Sequence, residues 1–472
     1  MANINRRRFV TNASALTLMS SAGILGSMSQ SRVFAADTSG YKALVCIFLF
    51  GGLDHADTLL PYDAPSHALL RNARPAILNR YQGTGASREI SNLTALTPVN
   101  AGDFGGRQFA LAPELDPLRA LFQSGDAAIV GNVGPLIEPT TRTLMEANGV
   151  ELPPRLFSHN DQQSTWESLG VEGEKIGWGG KFVDAALIAD PSSNPAFAAI
   201  NTSGNNVFLA GNVAQQFRVG SGGANPIQVI DQRSTIGRTN EGDAARDSFR
   251  SFLGRTVTAD SNYFITDATR AIGGAIANND IYNAAYENAV PLTTVFPETR
   301  IGRQLRAVVE TIDIAPALNV NRQVFLVGMG GYDTHSNQTN SLPALLGELA
   351  EGIAAFSAGL SEINRWNDVV GFTASDFGRT VIDNGDGTDH GWGAHHVVFG
   401  GDVIGQRIYG EVPDLDLSSE RYTERRARLI PSVSVEQYAA TLGSWFGLDS
   451  GELAAALPNL GNFNQANLGF LS

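Results

Sequence analysis

The sequence has one cysteine, Cys46, in 472 residues. That excludes a disulfide framework and any Cys-rich metal knuckle. Cys46 sits inside the apolar run Ala43–Phe50, which assigns it to a packed core. Basic charge is also scarce: 33 Lys and Arg stand against 47 Asp and Glu, a formal net charge of −14. A surface of that sign repels phosphate backbones and disfavours nucleic acid as a partner. Beyond the N-terminal segment no run reaches the ~18–20 apolar residues of a bilayer crossing, so no membrane span is expected. Also missing are a GxGxxG fingerprint, which removes a dinucleotide cofactor, and the HExxH and GxSxG signatures of zinc proteases and serine esterases. No internal repeat, heptad array or low-complexity tail is found.

What is present begins with an address. Arg6-Arg7-Arg8 precedes a weakly apolar, Ser/Gly-interrupted run from Ala13 to Met28 and then Val33-Phe34-Ala35-Ala36. The pattern is that of a twin-arginine export signal, cleaved after Ala35 or Ala36. Its removal takes four arginines and no acid, leaving 29 basic residues against 47 acidic and a net charge near −18. The expected organisation is a signal over residues 1–36 and an α/β domain over 37–472, with an insertion around 201–300. The expected location is periplasmic or secreted, with the twin-arginine machinery as a partner.

Within the domain, Ala43–Phe50, Ala127–Val133, Arg322–Met329 and Asp368–Phe372 are short, apolar and bounded by Gly or Asp. Such runs predict strands buried on both faces. Shorter strands are predicted over 195–200, 206–210, 397–401 and 406–409. Helices are predicted over 114–124, 179–190, 300–314 and 434–446, with further Ala/Asn-rich helices over 244–289. Leu345, Leu349, Ile353, Phe356, Leu360 and Ile363 recur at three- and four-residue spacings, the stripe of a long amphipathic helix. The predicted fold class is α/β, a mainly parallel central sheet flanked by helices.

Ligands of such sheets gather outside the carboxyl ends of the strands, and there the chemistry-bearing residues cluster. The first strand runs into Gly51-Gly52-Leu53-Asp54-His55-Ala56-Asp57-Thr58, and a later one into Gly331-Tyr332-Asp333-Thr334-His335. The Asp368 strand leads to Asp376 and Arg379, followed by a loop carrying Asp389, His390, His395 and His396. The chain has only seven histidines, and three fall within residues 390–396. Carboxylates and imidazoles in this combination suit divalent ions such as Zn, Mg, Ca or Mn. The metal-ligand candidates are Asp54, Asp333, His335, Asp376, Asp389, His390 and His395, enough for two ions flanking an ester displacement.

Ser158 precedes a polar helix-forming segment, where free N–H groups and the dipole favour a bound anion. Ser158 or Thr58 would attack. His159 joins Ser158 as a catalytic candidate, and Arg379 is a candidate fork for an oxyanion. The alternative for Ser158 is a simple helix cap.

The segments FLFGGLDHADTLLPYD, LFSHNDQQSTW, GGYDTHSNQ, SDFGRT and GTDHGWGAHH, with the twin-arginine start, resemble the exported bacterial DUF1501 family. That family is grouped with the alkaline phosphatase and sulfatase superfamily. The resemblance implies an alkaline-phosphatase-like sandwich, with Asp54 as first-strand ligand and Ser158 as helix-start nucleophile. It implies that Asp333 with His335, and Asp376 with His390, complete the centre. The sulfatase Cys/Ser-x-Pro-x-Arg motif is absent, and the usual Asp-His-Gly is displaced to Asp389-His390-Gly391. The implied activity is metal-dependent hydrolysis of phosphate or sulfate esters, on a small molecule or a polysaccharide. The alternative is a non-catalytic binding or assembly protein on the same scaffold.

Overall fold

The computed structural model describes residues 35–204, 206–225, 244, 247–248, 251 and 263–472. From Ala35 onward they form one compact unit; the predicted signal lies outside the described residues. Strands β1 (Lys42–Phe50), β2 (Leu59–Pro61), β3 (Phe109–Leu111), β4 (Ala127–Gly134), β5 (Ala199–Asn201), β6 (Gln216–Gly220), β7 (Gly223–Ala224), β8 (Arg322–Gly330), β9 (Val369–Ser375), β10 (Arg379–Asp383), β11 (Thr388–His390), β12 (Ala394–Phe399), β13 (Ile408–Gly410) and β14 (Val433–Ser434) follow in chain order. Ten of them form one sheet in the order β13-β4-β12-β9-β1-β8-β5-β6-β7, with β14 beside β4. β2 with β3, and β10 with β11, form separate two-stranded sheets.

The expected class holds: a mixed α/β fold with a mostly parallel sheet. β1 runs parallel to both β8 and β9, and β8 to β5. Only β12, antiparallel to β4 and β9, and the terminal hairpin strand β7 reverse direction. Registers pairing Phe50 with Gly330 and Leu49 with Ser375 bring three carboxyl ends to one edge. Every interior residue of β1 is buried, including the unpaired Cys46. At the end of β1, Gly51 adopts φ 121°, and a Cβ there would lie 2.2 Å from the Asp333 amide nitrogen. Only glycine permits that approach of two strand-end loops.

The helices used below are α1 (His159–Ser168), α2 (Arg300–Asp313), α3 (Gln338–Glu362) and α4 (Val435–Phe446). α3 is long and apolar enough to cross a membrane by composition. Its stripe of Leu342, Leu346, Leu349, Ile353, Phe356 and Leu360 is buried, however, and it packs against α2; it is a core helix. α4 opens with a capping box between Ser434 and Gln437 and ends on Gly447 in the left-handed region.

Two predicted strands differ. Val207–Leu209 is a 3-10 turn, because the Asn206 side chain accepts from the Phe208 amide and caps it. Pro195–Phe197 is likewise a 3-10 turn capped by Asn194, so the strand here is only Ala199–Asn201. Of the helices predicted over 244–289, a helix spans Tyr263–Glu287, and most of the preceding stretch lies outside the described residues. β6 and β7, within the predicted insertion, extend the main sheet.

Candidate metal centre

Four elements deliver the site. β8 leads through Gly331, in the left-handed region (φ 107°), into Asp333 and His335. β9 leads directly into Asp376, α1 begins at His159, and β11 ends at His390. Each of the three imidazoles is anchored at Nδ1. His159 Nδ1 lies 2.6 Å from Asp376 Oδ2, His335 Nδ1 3.1 Å from Asp389 Oδ1, and His390 Nδ1 2.8 Å from the Phe157 carbonyl. All three partners accept, so each ring carries its hydrogen on Nδ1, and in its neutral form presents a lone pair on Nε2.

Those lone pairs converge on Asp333. Its Oδ1 is 3.2 Å from His335 Nε2 and 3.4 Å from His390 Nε2, and its Oδ2 is 3.5 Å from His159 Nε2. The two nitrogens of His335 and His390 approach to 2.8 Å. Two nitrogens at that separation hold either a shared proton or a metal ion between their lone pairs. Tetrahedral ligands on bonds of about 2.0–2.1 Å stand roughly 3.3 Å apart, close to the 3.2–3.5 Å between Asp333 and each imidazole. His159, Asp333 and His390 offer ligand atoms all within 4.8 Å of one another, and His335 borders that group through its contacts to Asp333 and His390. The Asp333 side chain is 47% exposed, so the centre opens to solvent.

The surrounding groups fix this geometry. Asp376 is fully buried and also accepts from Gln163 Nε2 at 2.8 Å and the Gly51 amide at 3.2 Å. Its hydrogen bond raises the His159 pKa above the ordinary value. Burial, followed by the Arg379 charge, lowers that of His335; burial lowers that of His390. Partial burial would raise the Asp333 carboxyl, but the hydrogen bond and charge of Arg379, together with His335 and His159, hold it below its ordinary value. Phe157 aims its carbonyl at His390 from φ 74°, a strained conformation for an aromatic residue. Arg428 holds it there, with its guanidinium 3.8 Å from the Phe157 ring centre and its Nε donating to the His390 carbonyl at 2.8 Å.

His159, Asp333, His335 and His390 are thus brought together, and the other candidates stand elsewhere. Asp54 is fully buried and accepts from Arg74 at 3.0 and 3.1 Å, from Gln338 at 2.7 Å and from the Ala56 amide at 3.2 Å. Both its oxygens are engaged, and it lies outside the His159, Asp333 and His390 group. Asp376 and Asp389 are outer carboxylates that orient imidazoles; Asp389 is also paired with Arg426.

His395 and His396 lie at the start of β12 and are engaged elsewhere, His396 against the Trp166 ring. His395 Nδ1 accepts from the Asn132 amide and its ring lies 5.3 Å from that of His55. Arg379 is not a free oxyanion fork: it is fully buried, donating to Asp333, the Gly51 carbonyl and Thr388. It positions Asp333 instead. Ser158 is the half-buried N-cap of α1 and makes no side-chain cap bond, whereas the Thr58 hydroxyl is tied to the Asp54 carbonyl at 2.7 Å. Sequence reasoning missed Gln163, Phe157 and Arg428. Gln163 was legible as the residue one helical turn beyond His159; a strained carbonyl has no sequence signal.

The profile of DUF1501, described as a protein of unknown function, matches residues 41–457. The chain belongs to the DUF1501 family. No curated protein sequence matches this DUF1501 chain. Among solved structures it is similar to Ps i-CgsB, crystallised with k-i-k-neocarrahexaose, at 9% identity and a TM-score of 0.34, covering 88% of this chain and 74% of that one. It is also similar to the phosphonate monoester hydrolase SpPMH from Silicibacter pomeroyi, at 10% identity and a TM-score of 0.29, covering 86% and 74%. At these scores the likeness carries no argument about chemistry.

The geometry separates ligand from neighbour by mutation. His335→Ala should lose most of any bound divalent metal, and Asp376→Asn should weaken binding about 10–100-fold, the usual cost of removing an outer partner. Asp54→Asn should keep its metal while losing about 3–5 kcal/mol of stability, because Arg74 is left buried without its counter-charge. Elemental analysis with urea unfolding of each variant decides this. Metal loss in folded Asp54→Asn, with full retention in His335→Ala, would contradict the assignment.

Proposed function

We propose that the chain is an exported, metal-dependent hydrolase of phosphate or related sulfate esters on an alkaline-phosphatase-like scaffold. The observation that carries this reading is the convergence of three Nε2 lone pairs on Asp333. A set of three imidazoles and one carboxylate favours zinc over the oxygen-seeking Mg and Ca. The two-ion expectation reduces to one, since Arg74 supplies the positive charge at Asp54 and Arg379 at the inner side of Asp333.

A divalent ion held there would polarise the ester and stabilise charge building on its oxygens. The chain's own residues do the rest. Ser158 stands next to His159 with a hydroxyl that no hydrogen bond occupies, and so can be aimed at an ester. Because no side chain caps α1, its first-turn N–H groups remain to receive an anionic oxygen. Asp376 and Asp389 keep His159 and His335 in the tautomer that presents Nε2. Thr58, already bonded within its own turn, supports the Asp54 loop.

Ser158→Ala should lower turnover by several decades, and Thr58→Ala by about one or two at most. The assay is a phosphoester and sulfoester panel with metal content checked in each variant. Near-full turnover by Ser158→Ala would remove Ser158 as the attacking group. A metal-loaded parent that hydrolyses nothing would overturn the catalytic reading in favour of a binding protein.

Export rests on Arg6-Arg7 ahead of the weakly apolar run. Lys at both positions should hold the precursor in the cytoplasm, and unchanged secretion would contradict it.

A further inference from the structure

One face of α1 leaves the metal centre and enters a second feature. His159, Gln163 and Glu167 are spaced by four residues and therefore line one stripe, about 12 Å of helix rise from end to end. His159 belongs to the centre, and Gln163 is bonded to Asp376. Gln163 and Glu167 then line an open cleft of about 450 Å³ with Phe50, Ser203, Asn206 and Arg300. That volume lies within the range of ligand sites, and the cleft sits over the carboxyl ends of β1 and β8.

The lining is built and polar. Glu167 is buried, one oxygen accepting from Asn206 Nδ2. Asn206 is held in turn by Gln216, whose Oε1 accepts from Asn201 at 2.7 Å. Among the described residues the other Glu167 oxygen has no hydrogen-bond partner, and the exposed Arg300 guanidinium has no ion pair. Burial pushes the Glu167 carboxyl up to about 7, so near neutrality it both donates and accepts. The apolar groups in the lining are few, which argues against a lipid or aromatic occupant. Donors and acceptors on Glu167, Ser203 and Asn206, with the Arg300 cation in the same lining, match hydroxyl groups and a carboxylate.

Resting on the ester-hydrolase reading above, we propose that this cleft receives the alcohol portion of the ester and selects a polyhydroxylated acid, such as a uronic acid. Glu167, Ser203 and Asn206 read hydroxyl groups, and Arg300 reads the carboxylate. A sugar bearing its ester at the metal centre spans the stripe from His159 towards Glu167. Phe50 offers a ring edge for its apolar face. These are specificity determinants; they do not touch the bond that breaks.

The test is titration calorimetry on the zinc-loaded full chain, with inorganic phosphate and the non-hydrolysable methylene phosphonates of glucose and glucuronic acid. The glucose compound should bind roughly 10-fold tighter than phosphate, and the glucuronic acid compound roughly 10-fold tighter again, a gain per step expected of one or two net hydrogen bonds. Arg300→Ala, at the surface, should erase only the second step. Glu167→Leu should erase the first, and Glu167→Gln should keep part of it; binding of phosphate itself should not change in any of them. Equal affinities for phosphate and the glucose compound, or steps that survive Arg300→Ala and Glu167→Gln undiminished, would overturn the cleft assignment and leave the metal centre standing. Failure of all three compounds to bind would instead bring down the metal-centre reading, and this proposal with it.

Discussion

Three imidazoles whose Nδ1 atoms are already committed have nowhere to present their remaining lone pairs except at Asp333. That constraint organises the strand-end edge of the molecule. Asp376 meets His159 because β9 ends in register with β1 and β8. The Phe157 carbonyl meets His390 because a strained turn before α1 is held by Arg428. Asp389 meets His335 across the turn of the β10–β11 hairpin. Each anchor comes from a different element, so the site exists only when the sheet, α1 and the hairpin are assembled together.

Charge burial explains the shape of the centre on its inner side. Arg379 and Arg74 are both fully buried, a costly placement unless their counter-charges and carbonyl acceptors are fixed beside them. Arg379 is satisfied by Asp333, Gly51 and Thr388, and Arg74 by Asp54 and the carbonyls of Val381 and Thr380. Asp57 is similarly paired with Arg88. Two acids that leave the first strand are therefore neutralised by guanidinium groups before any metal could claim them. The acidic character of the chain is retained at the rim, where Asp333 faces water.

Much of this was legible in the residues. An apolar run closed by Gly and followed by Asp or His marked β1, β8 and β9, and the three- and four-residue stripe marked α3. Asp333, His335 and His390 were singled out for the same reason. Asp54 was indistinguishable from them in sequence: its partner Arg74 lies 20 residues on, and nothing local says which strand-end acid will find a guanidinium. His395 stands apart because its Nδ1 accepts from the Asn132 amide and its ring packs on His55, partners that no local sequence signal announces. The predicted strand at 206–210 failed because Asn206 offers its own side chain as a cap, a local alternative that outcompetes extension. The Phe157 carbonyl depends on a backbone conformation that composition does not encode.

In the proposed centre three imidazole nitrogens and a carboxylate oxygen, with no sulfur, form one shared ligand set. X-ray absorption at the zinc edge on the zinc-loaded chain distinguishes that set from others. The expected spectrum is a nitrogen and oxygen shell at about 2.0–2.1 Å with outer scattering from three imidazole rings. A shell of oxygen alone, without imidazole scattering, would contradict it.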